Sequence, residues 1–159
     1  MSGMPDWRDD DFEQEEGEEW KPDPAREACK ALYQQWKTIV MMMKGALDSM
    51  NTDNGDELSK DYSETEKDIL LNDAYITGVK ILSSETGGLY IIRMENASII
   101  RKNAQSIKSA LLGMMIDQMI EEHHGHAIRN EIDKFRELFK VWVSNFQRDE
   151  YEDEWGLFI

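Results

Sequence analysis

Residues 63–94 read SETEKDILLNDAYITGVKILSSETGGLYIIRM, and two structures compete for them. Read as helix, Ser63-Glu64-Thr65-Glu66 is a capping box, in which the Ser63 hydroxyl and the Glu66 carboxylate each satisfy a free backbone N–H. The helix then runs to about Ser84. It is apolar over most of its circumference (Leu70, Leu71, Ala74, Tyr75, Gly78, Ile81, Leu82), which makes it the central element. Read as a β-hairpin, 75–82 and 89–94 are strands joined across Gly87-Gly88, which their β-branched and aromatic content permits. The helical reading is favoured because Ser63 caps the run and no period-two alternation is sustained. The chain is then all-α.

On either side the helical signals are plainer. Asp23 can cap, Pro24 suits a first turn, and Ala25, Cys29, Leu32, Trp36, Ile39, Val40, Met43, Leu47 and Met50 recur at spacings of three and four. An amphipathic helix is expected over 24–50. Residues 51–62 are polar, contain Asn54-Gly55 and read as a loop. A third helix starts near Leu89, with Ile92, Ile99, Ile100, Ile107, Ala110 and Leu111 on one side. Its phase resets at Gly113, which predicts a break there and a separate short helix over 114–122. His123-His124-Gly125-His126 follows as a connector. The last helix, 127–147, lines up Ile128, Ile132, Phe135, Leu138, Phe139, Trp142 and Phe146. The expected architecture is an antiparallel up-and-down four-helix bundle over 23–147, with the extra short helix and two acidic flanks.

The flanks hold most of the charge. Residues 1–22 carry nine acids against Arg8 and Lys21, and 148–159 carry five against Arg148. Together they account for −11 of the formal −15. Aromatics are interleaved among these acids: Trp7, Phe12 and Trp20 in the first flank, Tyr151, Trp155 and Phe158 in the second, with Leu157 and Ile159 beside them. Three tryptophans in such surroundings suggest docking, in cis or on a partner, with charge steering the approach and aromatics anchoring it. Residues 1–19 have the composition of a segment that stays disordered until docked. For the tail, folding back onto the bundle competes with acting as a linear motif.

Other constellations are weaker. Asp117, Glu121 and His124 have side chains suited to a metal, and Glu121-x-x-His124 has the spacing of ferritin-like bundles. The second such motif is missing, because all three histidines lie within 123–126. Histidines beside a helix C-terminus and acids on a solvated face explain the group more simply. Asn96 and Asn103, with Arg93 and Glu95, could line an interior pocket, although buried amides more often fix register. Cys29 sits in the middle of the first helical stripe and reads as a small apolar filler. Met41-Met42-Met43 puts one methionine on the core face. Asp53-Asn54-Gly55-Asp56 has its glycine out of register for a calcium loop and reads as an Asn-Gly turn.

These observations also set expectations by exclusion. No run of about 18 apolar residues exists to span a bilayer, and the acidic N-terminus is not a signal peptide. The single cysteine fits a reducing cytoplasm, and the negative charge disfavours nucleic acid while favouring a basic protein partner. There is no Gly-rich phosphate loop, nucleophile elbow or Cys-x-x-Cys pair, so no cofactor is expected. The function read from the sequence is non-enzymatic protein–protein interaction, with Trp7, Phe12, Trp20, Trp155, Leu157 and Phe158 in the docking segments and homodimerisation as the default association. The alternative is a metal carrier or metal-dependent enzyme using Asp117, Glu121 and His124.

Overall fold

The computed structural model describes residues 4–9, 23–50 and 57–158. Among them the regular structure is α1 (Pro24–Asp48), α2 (Glu57–Ser83), α3 (Tyr90–Ile116) and α4 (Glu122–Ser144), with no strand. The Asp23 carboxylate accepts the Arg26 N–H at 3.2 Å, and Pro24 occupies the first turn of α1. The inward stripe of α1 is buried as its three-and-four spacing demands: Cys29, Leu32, Trp36, Ile39, Val40, Met43 and Leu47. Met43 faces the core, whereas Met41 points to solvent. The Asp53–Asp56 turn lies outside the described residues.

The hairpin does not form. Helix runs through 75–82 and again from Tyr90, and Gly87 and Gly88, with φ of 76° and 62°, belong to the turn between α2 and α3. The capping box is not used either, because α2 begins at Glu57, ahead of Ser63. No glycine or proline interrupts 57–63, and the Ser63 hydroxyl donates to the Ser59 carbonyl at 3.0 Å, the usual way for a serine to be satisfied inside a helix.

The predicted break at Gly113 is also corrected. α3 continues through it to Ile116 with Leu111, Met114 and Met115 buried, and 114–122 is not a separate helix. The helix stops at Gln118, which has φ of 60°. There the N–H groups of Gln118 and Met119 donate back to the carbonyls of Met115 and Met114 at 3.1 and 2.8 Å, closing the helix end in the manner usually built on glycine. The reversal is completed by residue 121. The histidine run therefore lies in the first turn of α4, and is not a connector.

α1 packs on α2 and α4, and α3 packs on the same two helices. Between α1 and α2 the pairs are Cys29 with Ile81, Trp36 with Ala74 and Asp48 with Lys67, so numbers fall on one helix as they rise on the other. The α1–α4 pairing is the most extensive, which corrects the expectation that α2 is central. The two narrow apolar arcs face each other directly. Their contact includes Trp36 and Phe135, whose rings lie 4.8 Å apart, with the Trp36 Nε1–H donating to the Ala74 carbonyl at 2.8 Å. α2 buries only Leu70, Ala74, Thr77, Gly78 and Ile81 and leaves Ile69, Ile76 and Val79 outside.

Two glycines allow close approach. A Cβ on Gly125 would run into the Met115 side chain between α3 and α4, and one on Gly78 would meet the end of Met4.

Candidate functional site: the two flanks and the buried cluster beneath the tail

At the end of the bundle where α2 turns into α3, three buried polar groups meet. Glu85 is fully buried and pairs with Arg93 at 2.6 Å, while the Trp142 Nε1–H donates to its other carboxylate oxygen at 3.2 Å. Phe146 stacks edge-on against Trp142 with centroids 4.7 Å apart, and the Arg93 guanidinium lies 5.9 Å from the Phe146 ring. Nearby, the Cys29 thiol donates to the Ile81 carbonyl at 3.4 Å. Desolvation and the Glu85 charge push the Cys29 pKa well above its ordinary value, so the thiol stays protonated and unreactive. Asn96 donates to the Ser83 hydroxyl at 3.3 Å. Arg93 and Asn96 thus face inward as a structural tie, while Glu95 points to solvent.

The tail leaves from this end and is fixed at its root. Leu89, just before α3, offers no side-chain cap, and Asp149 supplies one instead: its Oδ2 accepts the Tyr90 N–H at 2.9 Å. The Arg148 guanidinium sits 5.6 Å from the centre of the Tyr90 ring. Further out, the Asp153 carboxylate accepts the N–H groups of Phe158, Leu157 and Trp155 at 2.9, 2.8 and 3.0 Å. Those backbone donors, Phe158 first, hold the Asp153 pKa below the ordinary carboxylate range. The turn that results presents apolar side chains to water: Trp155 is 93 % exposed and Leu157 73 %, with Phe158 half-buried.

The N-terminal flank behaves oppositely where it is described. Tyr33 is buried, and its hydroxyl donates to the Pro5 carbonyl. Desolvation, with the Asp6 charge second, raises the Tyr33 pKa to about 12. Lys37 pairs with Asp6 at 2.7 Å and holds that carboxyl below its ordinary pKa, and Lys30 lies 3.8 Å from Asp9. The Trp7 ring sits 6.0 Å from Tyr33, and Met4 covers Gly78. Residues 4–9 are therefore docked on their own bundle. Phe12, Trp20 and Ile159 lie outside the described residues.

Asp117, Glu121 and His124 are not brought together. No three His, Cys, Asp or Glu side chains converge on a point that could hold a metal ion among the described residues. The sequence reading put Asp117 and Glu121 on a short helix over 114–122 and His124 in the connector after it. In the structure Asp117 ends α3, Glu121 precedes α4 and His124 is inside α4, all three exposed. His126 instead lies 3.5 Å from Glu122.

Sequence reasoning found the flanks and Arg93 but missed Glu85 as its partner. An acid beside Gly87-Gly88 looks like a solvated turn residue, and only the fold brings Trp142 over it. No protein-family model, curated protein or solved structure matches the chain. No helix among the described residues is long and apolar enough to cross a membrane.

Proposed function

We propose that this chain is a non-enzymatic, cytoplasmic protein, an antiparallel up-and-down bundle that works by presenting its C-terminal segment to a protein partner. One observation carries this reading: Trp155 is 93 % exposed on a turn already closed by three hydrogen bonds to Asp153. A flexible acidic tail needs no such turn. Holding Trp155 and Leu157 in one conformation before contact removes part of the ordering cost of binding, and a large aromatic is the usual centre of an interface. Glu150, Glu152 and Glu154 surround the apolar pair, so a partner with a basic surface around an apolar pocket fits, and nucleic acid does not.

Among the described residues, Cys29 and the histidines are not placed as a nucleophile and its base. Cys29 is buried beside Ile81 near the α2–α3 turn, whereas the three histidines are exposed beside the α3–α4 reversal.

The test is quantitative capture with the parent chain and with Trp155→Ala/Leu157→Ala as baits. Proteins held by the parent should be lost by the variant and displaced by a peptide of residues 149–159. Equal capture by both baits, unaffected by the peptide, would remove the tail from the function.

A further inference from the structure

The groove between α3 and α4 has the chemistry that the tail calls for. It encloses about 610 Å³, and its lining comes from these two helices alone. The floor is apolar, with Ala104 and Phe135 buried and Phe139 half-buried. Around it stand Arg101 and Lys108 of α3 and Arg136 and Lys140 of α4. The acid among these lining residues is Asp133, and Lys108 pairs with it at 2.5 Å. That hydrogen bond, with the Arg136 and Arg129 charges behind it, holds the Asp133 carboxyl below its ordinary pKa, so its charge is already matched. Arg136 and Lys140 also lie 3.6 and 3.2 Å from Glu137, while Arg101 has no ion pair among the described residues. A chain of formal charge −15 thus sets four cations around an aromatic floor. We propose that this groove receives the C-terminal segment of a second copy, the two copies exchanging tails. The proposal rests on the tail acting as a docking segment, and names its partner.

Charge, vacancy and placement select that occupant. Glu150, Glu152, Asp153 and Glu154 run directly ahead of Trp155, so the acids meet the cationic rim while the indole meets Phe139. Arg101 can lie over the same ring. A nucleic acid would also meet the cations, but the rest of so acidic a chain repels it. Within one molecule the groove and the tail are both open. Trp155 is 93 % exposed in the turn closed by Asp153, and the groove is lined by α3 and α4 without any tail residue. The chain's own tail is therefore not the occupant. The tail is rooted at Tyr90 and the groove is centred at Ala104, fourteen residues or about 21 Å further along α3. Two copies with opposed α3 helices and a two-fold axis midway between these points set each root opposite the other's groove, closing the pair with two identical contacts. Trp155 and Leu157 expose on the order of 350 Å² together, the groove loses about as much, and the second contact doubles the sum to roughly 1,400 Å², within the range of specific interfaces. Each contact is small and rimmed by charge, so the pair is reversible and a dilute chain is single.

Sedimentation equilibrium of the full chain over a range of concentrations tests this. The parent should reach twice the chain mass of 18.6 kDa as concentration rises, and an excess of a peptide of residues 149–159 should return it to one chain mass. Trp155→Ala/Leu157→Ala and Arg101→Glu/Lys140→Glu should each weaken the association roughly tenfold or more. Their far-ultraviolet circular dichroism should not change, since all four positions are exposed. Adding Glu152→Arg/Glu154→Arg to the Arg101→Glu/Lys140→Glu chain should restore the pair, a gain that loss of folding cannot mimic. A parent of one chain mass at every concentration overturns the proposal. So does a tail or groove variant that associates as the parent does, or a combined reversal no tighter than the groove reversal alone. The tail's role as a docking segment is decided separately, by capture. A parent that stays single while Trp155→Ala/Leu157→Ala loses captured proteins would keep that role and remove only the groove of a second copy.

Discussion

Glu85 is the residue on which the α2–α3 end of the bundle closes. It is fully buried, bonded to Arg93 and Trp142, and removing one member of such a pair strands the other charge out of water. Glu85→Ala should therefore cost about 3–5 kcal/mol in urea unfolding, while Glu85→Gln/Arg93→Met should cost far less because no charge is left behind. A Glu85→Ala loss below about 1 kcal/mol would contradict the buried pair. Two neighbouring groups predict the alkaline limb of stability. Cys29 and Tyr33 keep their protons to higher pH folded than unfolded, so above the unfolded pKa the unfolded chain binds fewer protons and stability falls as pH rises. For Tyr33 the window runs from its ordinary 10.0 to about 12, and for Cys29 it opens near its ordinary 9.0. Native Cys29 should accordingly resist a thiol reagent at pH 8 and react at once in denaturant. Rapid native labelling would mean the α1–α2 contact opens readily. Cys29, Trp36 and Met43 were legible as core from spacing alone, because one helix fixes their direction. Glu85 was not, since its partners come from α3 and α4.

The four long helices were legible at the scale of elements, and three of their ends, the start of α2, the end of α3 and the start of α4, were not. The phase reset at Gly113 is real in the sequence, yet α3 passes through it and stops at Gln118, because stop signals are read from glycine and Gln118 takes the left-handed position without one. The same bias made Ser63 a cap when its hydroxyl bonds inside α2. A pair of substitutions separates the two accounts. Nothing lies within 4 Å of a Cβ built on Gly113, so Gly113→Ala should stabilise the chain by about 0.5–1 kcal/mol through helix propensity. A Cβ on Gly125 meets Met115, so Gly125→Ala should lose about 1–3 kcal/mol to overpacking despite the same propensity gain. Chemical denaturation reads both. A destabilising Gly113→Ala would restore the break that the sequence implied.

At the scale of the molecule the two flanks, alike in composition, end in different places. Composition could not separate them, because acids with interleaved aromatics suit docking in cis and in trans equally. What divides them is which partner each finds on the bundle: Tyr33, Lys37 and Gly78 receive residues 4–9, whereas the tail is tied to the bundle at its root, by Asp149 and Arg148 on Tyr90. Removing residues 1–9 should therefore lower the melting temperature by several degrees through the lost burial of Met4 and Trp7. The measurement that bears most directly on the presented tail is the melting temperature of the chain lacking residues 153–159, which keeps Asp149 as the cap of α3. An exposed motif held for a partner predicts a midpoint within about one degree of the parent. A fall of several degrees would show that Trp155 and Phe158 stabilise their own bundle, and would contradict the account.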